Sequence, residues 1–212
     1  MAVSLVMRPR ADSVLMLQLP SEWAGRDQLF RNIVDLGTPT RGARIEPTDR
    51  PDRVRLIADP RRDVVVTWRV KATTPTSSVP DGHNHSDVGR PWAQLVGHEA
   101  LVLPALDDGT PVVVDLGFRG FDRNTVLATS FGAPPSPGAM WTARTQLGDL
   151  HHALYYIGTT PNAVRSYRSK IAGGEFTILI RGRLSIDDST LVNAVRRVVE
   201  AERGFWRTPS AP

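Results

Sequence analysis

The sequence predicts a mainly β protein: a β-sandwich or saddle-like antiparallel sheet with few short helices and one amphipathic helix at the C-terminal end. Three observations predict it. Short runs rich in β-branched residues recur along the chain, and Val64 to Val70 (VVVTWRV) is the plainest of them. Turn-forming clusters separate the runs at intervals of about 8 to 12 residues, a spacing that suits sandwiches rather than alternating βαβ units. Only Ser185 to Trp206 repeats its apolar residues at the helical period over several turns.

Taken in order, Val14 to Leu19 (VLMLQL) is an apolar run closed by Pro20 and predicts a buried strand. Ile33, Val34 and Leu36 precede Gly37 and the turn TPTRG. Arg44 to Glu46 and Val54 to Ile57 predict strands on either side of the turn-rich PTDRPD. Thr73 to Asp87 (TTPTSSVPDGHNHSD) is almost devoid of apolar residues and predicts an exposed loop. Trp92 to Val96 and Glu99 to Leu103 (EALVL) read as strand. Asp108-Gly109 is a hairpin turn signal that would join EALVL to Val112 to Leu116 (VVVDL). Val126 to Ser130 precedes the loop GAPPSPGAM, and Leu147 to Ile157 fits either a short helix or a strand. Phe176 to Arg181 (FTILIR) is the last strand, and Gly182 ends it. The count comes to about eight to ten strands.

The terminal stretch places Leu191, Val192, Val195, Val198, Val199, Phe205 and Trp206 on one stripe, with Asn193, Arg196, Arg197, Glu200 and Arg203 opposite. Ser185 and Asp188 offer an N-cap and an acidic first turn. A division follows: a β-rich domain over 1–184, and a helix with its tail over 185–212 that reads as the first element of a further unit. Leu191, Val195, Val198, Phe205 and Trp206, with Glu202 among them, are the expected interface. A carboxylate on such a stripe must be paired or reach water.

Composition excludes several chemistries. With no cysteine, there is no disulfide framework, thiolate nucleophile or thiolate metal ligand. No apolar run is long enough to span a membrane, and the N-terminal apolar stretch is broken early by Arg8 and Arg10, so the expected location is cytoplasmic. The net charge is +4 and the sequence pI about 10.1, but the arginines are scattered and only two lysines occur, so nucleic acid is not an expected partner.

No complete catalytic constellation is present. His98-Glu99 begins like H-E-x-x-H, but the position of the second histidine is Val102, so the pair of imidazoles one turn apart that would hold zinc is absent. His83 and His85 flank Asn84 in the polar loop. Together with His98 and Glu99 they are the candidate metal ligands, none of them in a recognised ligand set. His151 and His152 are adjacent and point in different directions on a helix or a strand, which predicts a buried, hydrogen-bonded role rather than a shared ligand. Ser130 lacks the preceding glycine of a nucleophile elbow, and no phosphate-cradling glycine loop occurs.

The order of stretches carries more than any one of them. LPSEWAG, IVDLG, VTWRV, Arg90-Pro91, GHEALVLP, LATSFG, LGDLHHALYYIG, GGEFTILIRG and EAERGFW, in that sequence, resemble the N-terminal domain of glycyl-aminopeptidase-type zinc metallopeptidases. That family sits in the gluzincin group with aminopeptidase N and leukotriene A4 hydrolase. The resemblance implies a saddle-like β-domain preceding a thermolysin-like domain that holds the zinc, so no cofactor is expected in this chain and zinc is expected in the catalytic domain. It implies no catalytic residue here. The expected function is a non-catalytic β-domain covering one side of the substrate cleft. Its expected partners are the catalytic domain or a partner chain at the terminal helix, and the N-terminus of a peptide substrate. The alternatives are a free-standing interaction module and an independent metal-dependent hydrolase.

Overall fold

The computed structural model describes residues 1–9, 13–71, 85–89, 92–122, 124–131, 139–160, 164–171 and 174–206, with the side chains of Trp141 and Trp206 excepted. The prediction of a mainly β fold holds, and every strand pairing is antiparallel. Fifteen strands occur among the described residues, more than the sequence suggested.

The most β-branched run, β6 (Val64–Val70), is the centre of a three-stranded sheet between β1 (Ala2–Met7) and β3 (Ile33–Gly37). Its alternate residues Val64, Val66, Trp68 and Val70 are all buried. They face the second sheet, β4 (Arg44–Pro47), β5 (Arg53–Ile57), β2 (Val14–Gln18) and β9 (Leu103–Pro104), through Leu17 and Leu56. Stacking two apolar faces in this way removes both from water and forms the main core. Trp68 closes its own polar end by donating its indole N–H to the Ala100 carbonyl at 2.8 Å. The register of β3 shifts between Val34 and Gly37, where Asp35 takes a left-handed conformation and ion-pairs with Arg69 on β6.

A third sheet runs β11 (Val126–Thr129), β13 (Leu154–Gly158), β8 (Trp92–Val96) and β7 (Asp87–Val88). Leu95 and Tyr155 extend the main core into it. Two antiparallel ribbons complete the strands: β10 (Pro111–Gly117) with β12 (Met140–Gln146), and β14 (Val164–Ile171) with β15 (Gly174–Arg181).

Several expectations are corrected. EALVL is not a strand: Gly97–Ala100 forms a single helical turn, α1, and only Leu103–Pro104 pairs, with β2. The Asp108-Gly109 turn therefore closes no hairpin, and the strand after it pairs with β12 instead. Leu147 to Ile157 is both of its alternatives in succession, a short helix α2 (Leu147–His152) and then β13. Most of the loop expected over 73–87 lies outside the described residues. At its end, His85 and Ser86 are buried rather than exposed, and Asp87–Val88 is strand.

The terminal helix, α3 (Asp188–Trp206), forms as predicted, although Asp187 and not Ser185 caps it, accepting the Thr190 N–H at 2.9 Å. It lies along β14. Asp188 takes a two-pronged hydrogen bond from the Arg165 guanidinium and another from the Tyr167 hydroxyl, so the helix start is fixed to the ribbon by its own acidic first turn. Those donors, Arg165 first, hold the Asp188 carboxyl at about 2.

Candidate functional site

The chemistry-bearing residues converge where three short elements meet. The first is the turn after β2, where Trp23 and Arg26 exchange backbone hydrogen bonds at 2.9 Å and Ala24 and Gly25 take positive φ, so that the Trp23 ring stands clear of the sheet. The second is α1, which carries His98. The third is the C-terminal end of α2, which carries His151 and His152. Gly97 lets the two helical turns meet: a Cβ there would lie 2.0 Å from the Leu150 carbonyl oxygen and 2.6 Å from that of His151. The Gly97 N–H also donates to the Ala153 carbonyl at 2.9 Å, which joins α1 to the end of α2.

His98 is the centre of the cluster. Its ring stacks on Trp23 with centroids 4.3 Å apart and planes 9° apart, and its other face looks toward His151 at 5.3 Å. His152 meets it edge-on, with His98 Nε2 and His152 Nδ1 3.2 Å apart, so one of the two nitrogens donates and the other accepts. His151 Nδ1 lies 3.5 Å from an Asp108 oxygen. Burial, and then the neighbouring imidazoles His151 and His152, pull the His98 pKa down from 6.5 to about 4, with Asp108 opposing. Burial lowers that of His151 as well. At neutral pH His98 is therefore uncharged, its ring held between Trp23 and His151 and one of its nitrogens shared with His152.

Beside the cluster lies a cleft of about 500 Å³, whose lining includes His98, His151, Leu101, Glu22, Asp107 and Asp108. Its wall of leucine, proline and imidazole suits a hydrophobic side chain, and its rim of carboxylates suits an ammonium group.

The other sequence candidates have a different fate. His83 lies outside the described residues. His85 and Glu99 come together, but in the interior, at 5% and 2% exposure. His85 Nδ1 is 2.6 Å from a Glu99 oxygen, and the second oxygen accepts the Ser86 N–H. The Ser86 hydroxyl accepts the Val96 N–H at 2.9 Å, and the Gln94 amide donates to the His85 carbonyl at 3.1 Å. This network fastens the segment leading into β7 to β8 and α1. It is enclosed, so it positions backbone rather than meeting ligand. Among the described residues no three His, Asp or Glu side chains are placed to hold a metal ion.

His151 and His152 correct their expectation, because both turn toward His98 instead of packing singly among tyrosines. Trp23 was missed. The signal available was an isolated tryptophan in the turn-rich SEWAGRD, where no strand or helix calls for a large apolar side chain. Of the expected interface residues, Leu191 and Val195 are half-buried, Glu202 is exposed, and Val198 and Phe205 are 57% and 77% exposed; the Trp206 side chain is not among those described.

These features define a class: a multi-sheet β-domain with an imidazole-lined surface cleft and a C-terminal helix. No protein-family model matches the sequence, and no curated protein matches it. In fold the chain is similar to a crystal structure of an aminopeptidase N family protein from Idiomarina loihiensis, with a TM-score of 0.74 and 16% sequence identity. The likeness covers 97% of this chain and 34% of that one, so the chain has the fold of about a third of that protein. Among the described residues no helix is long and apolar enough to cross a membrane.

Proposed function

We propose that this chain is the non-catalytic N-terminal β-domain of a cytoplasmic zinc aminopeptidase-like protein, covering one side of the substrate cleft. The observation that carries the reading is the fold likeness, which runs through nearly the whole chain yet takes up only a third of its neighbour. Zinc and the residues that polarise its water belong to a catalytic domain beyond this chain. The cleft lined by His98 and Leu101 meets the substrate, its apolar wall packing a side chain and its carboxylates receiving the free amino terminus.

The test compares this chain with the polypeptide encoded when the reading frame is followed past Pro212. The longer product should contain H-E-x-x-H and release arylamine from glycyl or alanyl arylamides in a chelator-sensitive way, while this chain alone should not. In the longer product Glu22→Gln should raise KM with little change in kcat, because it removes ground-state binding and leaves the reacting centre alone. A frame that ends at Pro212, or a KM indifferent to Glu22, would overturn the reading. An independent hydrolase is disfavoured by the burial of His85 and Glu99 in one closed network.

A further inference from the structure

The helix α3 has two apolar ridges, and β14 covers one of them. The covered ridge is Asp188, Val192, Val195 and Val199, all half-buried. The second lies about 100° round the helix and runs Leu191, Ala194, Val198, Ala201, Phe205. These residues are spaced alternately by three and four, the repeat of a coiled-coil seam. All but Leu191 are exposed, and Val198 and Phe205 are the most exposed large apolar side chains on α3 among the described residues. A helix needing only to cover the sheet has no use for this second ridge.

The flanking charges select what packs there. Arg197 borders the seam on one side and Glu202, five residues on, borders it on the other. In a parallel pair of identical helices, a residue on the first flank faces the partner's residue five positions later on the second flank, so each Arg197 meets a Glu202 across the seam. An antiparallel pair instead faces each flank with its own kind, bringing arginine near arginine and glutamate near glutamate. Neither Arg197 nor Glu202 makes an ion pair within the chain among the described residues; Arg196 and Glu200, on the outer face, pair with each other at 3.4 Å. Ala194 and Ala201 leave room for facing Val198 and Phe205 side chains, and a β-branched residue at the central position favours two strands.

We propose that the ridge Leu191, Ala194, Val198, Ala201, Phe205 is a self-association surface, whose occupant is the α3 helix of a second copy of this chain lying parallel to the first and held in register by reciprocal Arg197–Glu202 pairs. The seam spans few heptads, so the dimer is a weak, reversible one. Residues 164–212 hold nine Lys and Arg against five Asp and Glu, so two such units repel at long range. At physiological salt, with a screening length of about 8 Å, that repulsion fades while the close pairs across the seam persist.

Sedimentation velocity of the whole 212-residue chain over a concentration series reaching about 1 mM tests this. The wild type should show a reversible monomer–dimer equilibrium. Arg197→Glu and Glu202→Arg, each placing like charges across the seam, should each weaken the dimer about tenfold, and the double reversal should restore it to within about threefold. Val198→Asp should leave monomer only. Circular dichroism confirms that α3 forms in each variant. A wild type that stays monomeric throughout overturns the proposal, because the ridge then takes a helix of different chemistry. A dimer indifferent to the single reversals, or one the double reversal fails to restore, overturns it as well.

Discussion

Acid should destabilise this domain in part through His98. His98 sits between the Trp23 ring and His151, with His152 at its edge and Asp108 beyond His151, and its pKa falls from 6.5 to about 4. The unfolded chain binds a proton at this residue below about pH 6.5, and the folded chain does not until about pH 4. Between those values protons favour the unfolded state, so the contribution of His98 is fully present above the upper value and is lost as pH falls toward the lower. Were the whole change expressed as stability, its limit would be ~3.4 kcal/mol at 1.36 kcal/mol per pH decade. The half-exposed ring shares its field with water, so we expect ~1–2 kcal/mol. Urea denaturation of the wild type and of His98→Gln at about pH 7.5 and about pH 4.5 measures it. The wild type should lose that much more stability between the two pH values than the variant does. Equal losses would refute the reasoning, because the cluster would then accept a proton on His98 without disturbing its neighbours.

Three further predictions follow from buried or anchoring polar groups. Glu99→Ala leaves the His85 ring and the Ser86 N–H without their acceptor inside the protein and should cost about 3 kcal/mol in chemical denaturation; a loss below about 1 kcal/mol would show that the network is not closed. The Tyr155 hydroxyl is buried without a hydrogen-bond partner and burial raises its pKa, so Tyr155→Phe should be neutral or stabilising by up to about 1 kcal/mol. A clear loss on that substitution would reveal a partner. Asp188→Ala releases Arg165 and Tyr167, and hydrogen exchange should quicken in the first turn of α3 while the amides of β6 keep their protection; uniform exchange in both would mean that the helix start is not separately anchored.

The strands that could be read from the sequence are those buried on a face with uniform apolar character. VVVTWRV, VRLI, FTILIR and WAQLV were legible because their β-branched residues advertise burial directly. The strands that escaped include the N-terminal β1, at the edge of its sheet, and two strands of ribbons with one wet face. β14, VRSYRSKI, alternates half-buried and exposed residues between buried ends, and β12, MWTARTQ, pairs with a strand that alternates in the same way, so neither has an apolar run to notice. EALVL misled because Val102 and Leu103 are buried as a strand would be, while the close approach of α2 at Gly97 curls the preceding residues into a turn. Local sequence contains no sign of that neighbour. The cluster site was legible only as fragments for the same reason: Trp23, His98 and His151 lie far apart in the chain, and tertiary packing alone makes them one surface.

The adjacency of His98 and Glu99 shows how little a half-motif settles. On a helical turn, successive residues diverge by about 100°, and α1 uses that divergence to serve two regions at once. Glu99 turns inward, where its carboxylate fixes the segment before β7, while His98 turns outward onto Trp23. Substitutions at the two positions should therefore separate cleanly. Loss of the Glu99 carboxylate strips acceptors from a closed interior and lowers stability at neutral pH, whereas loss of the His98 imidazole changes chiefly how stability responds to acid and how the cleft is lined. If both substitutions cost the same stability at neutral pH, the turn would be acting as one unit, and the division between an interior network and a half-buried ring stack would fail.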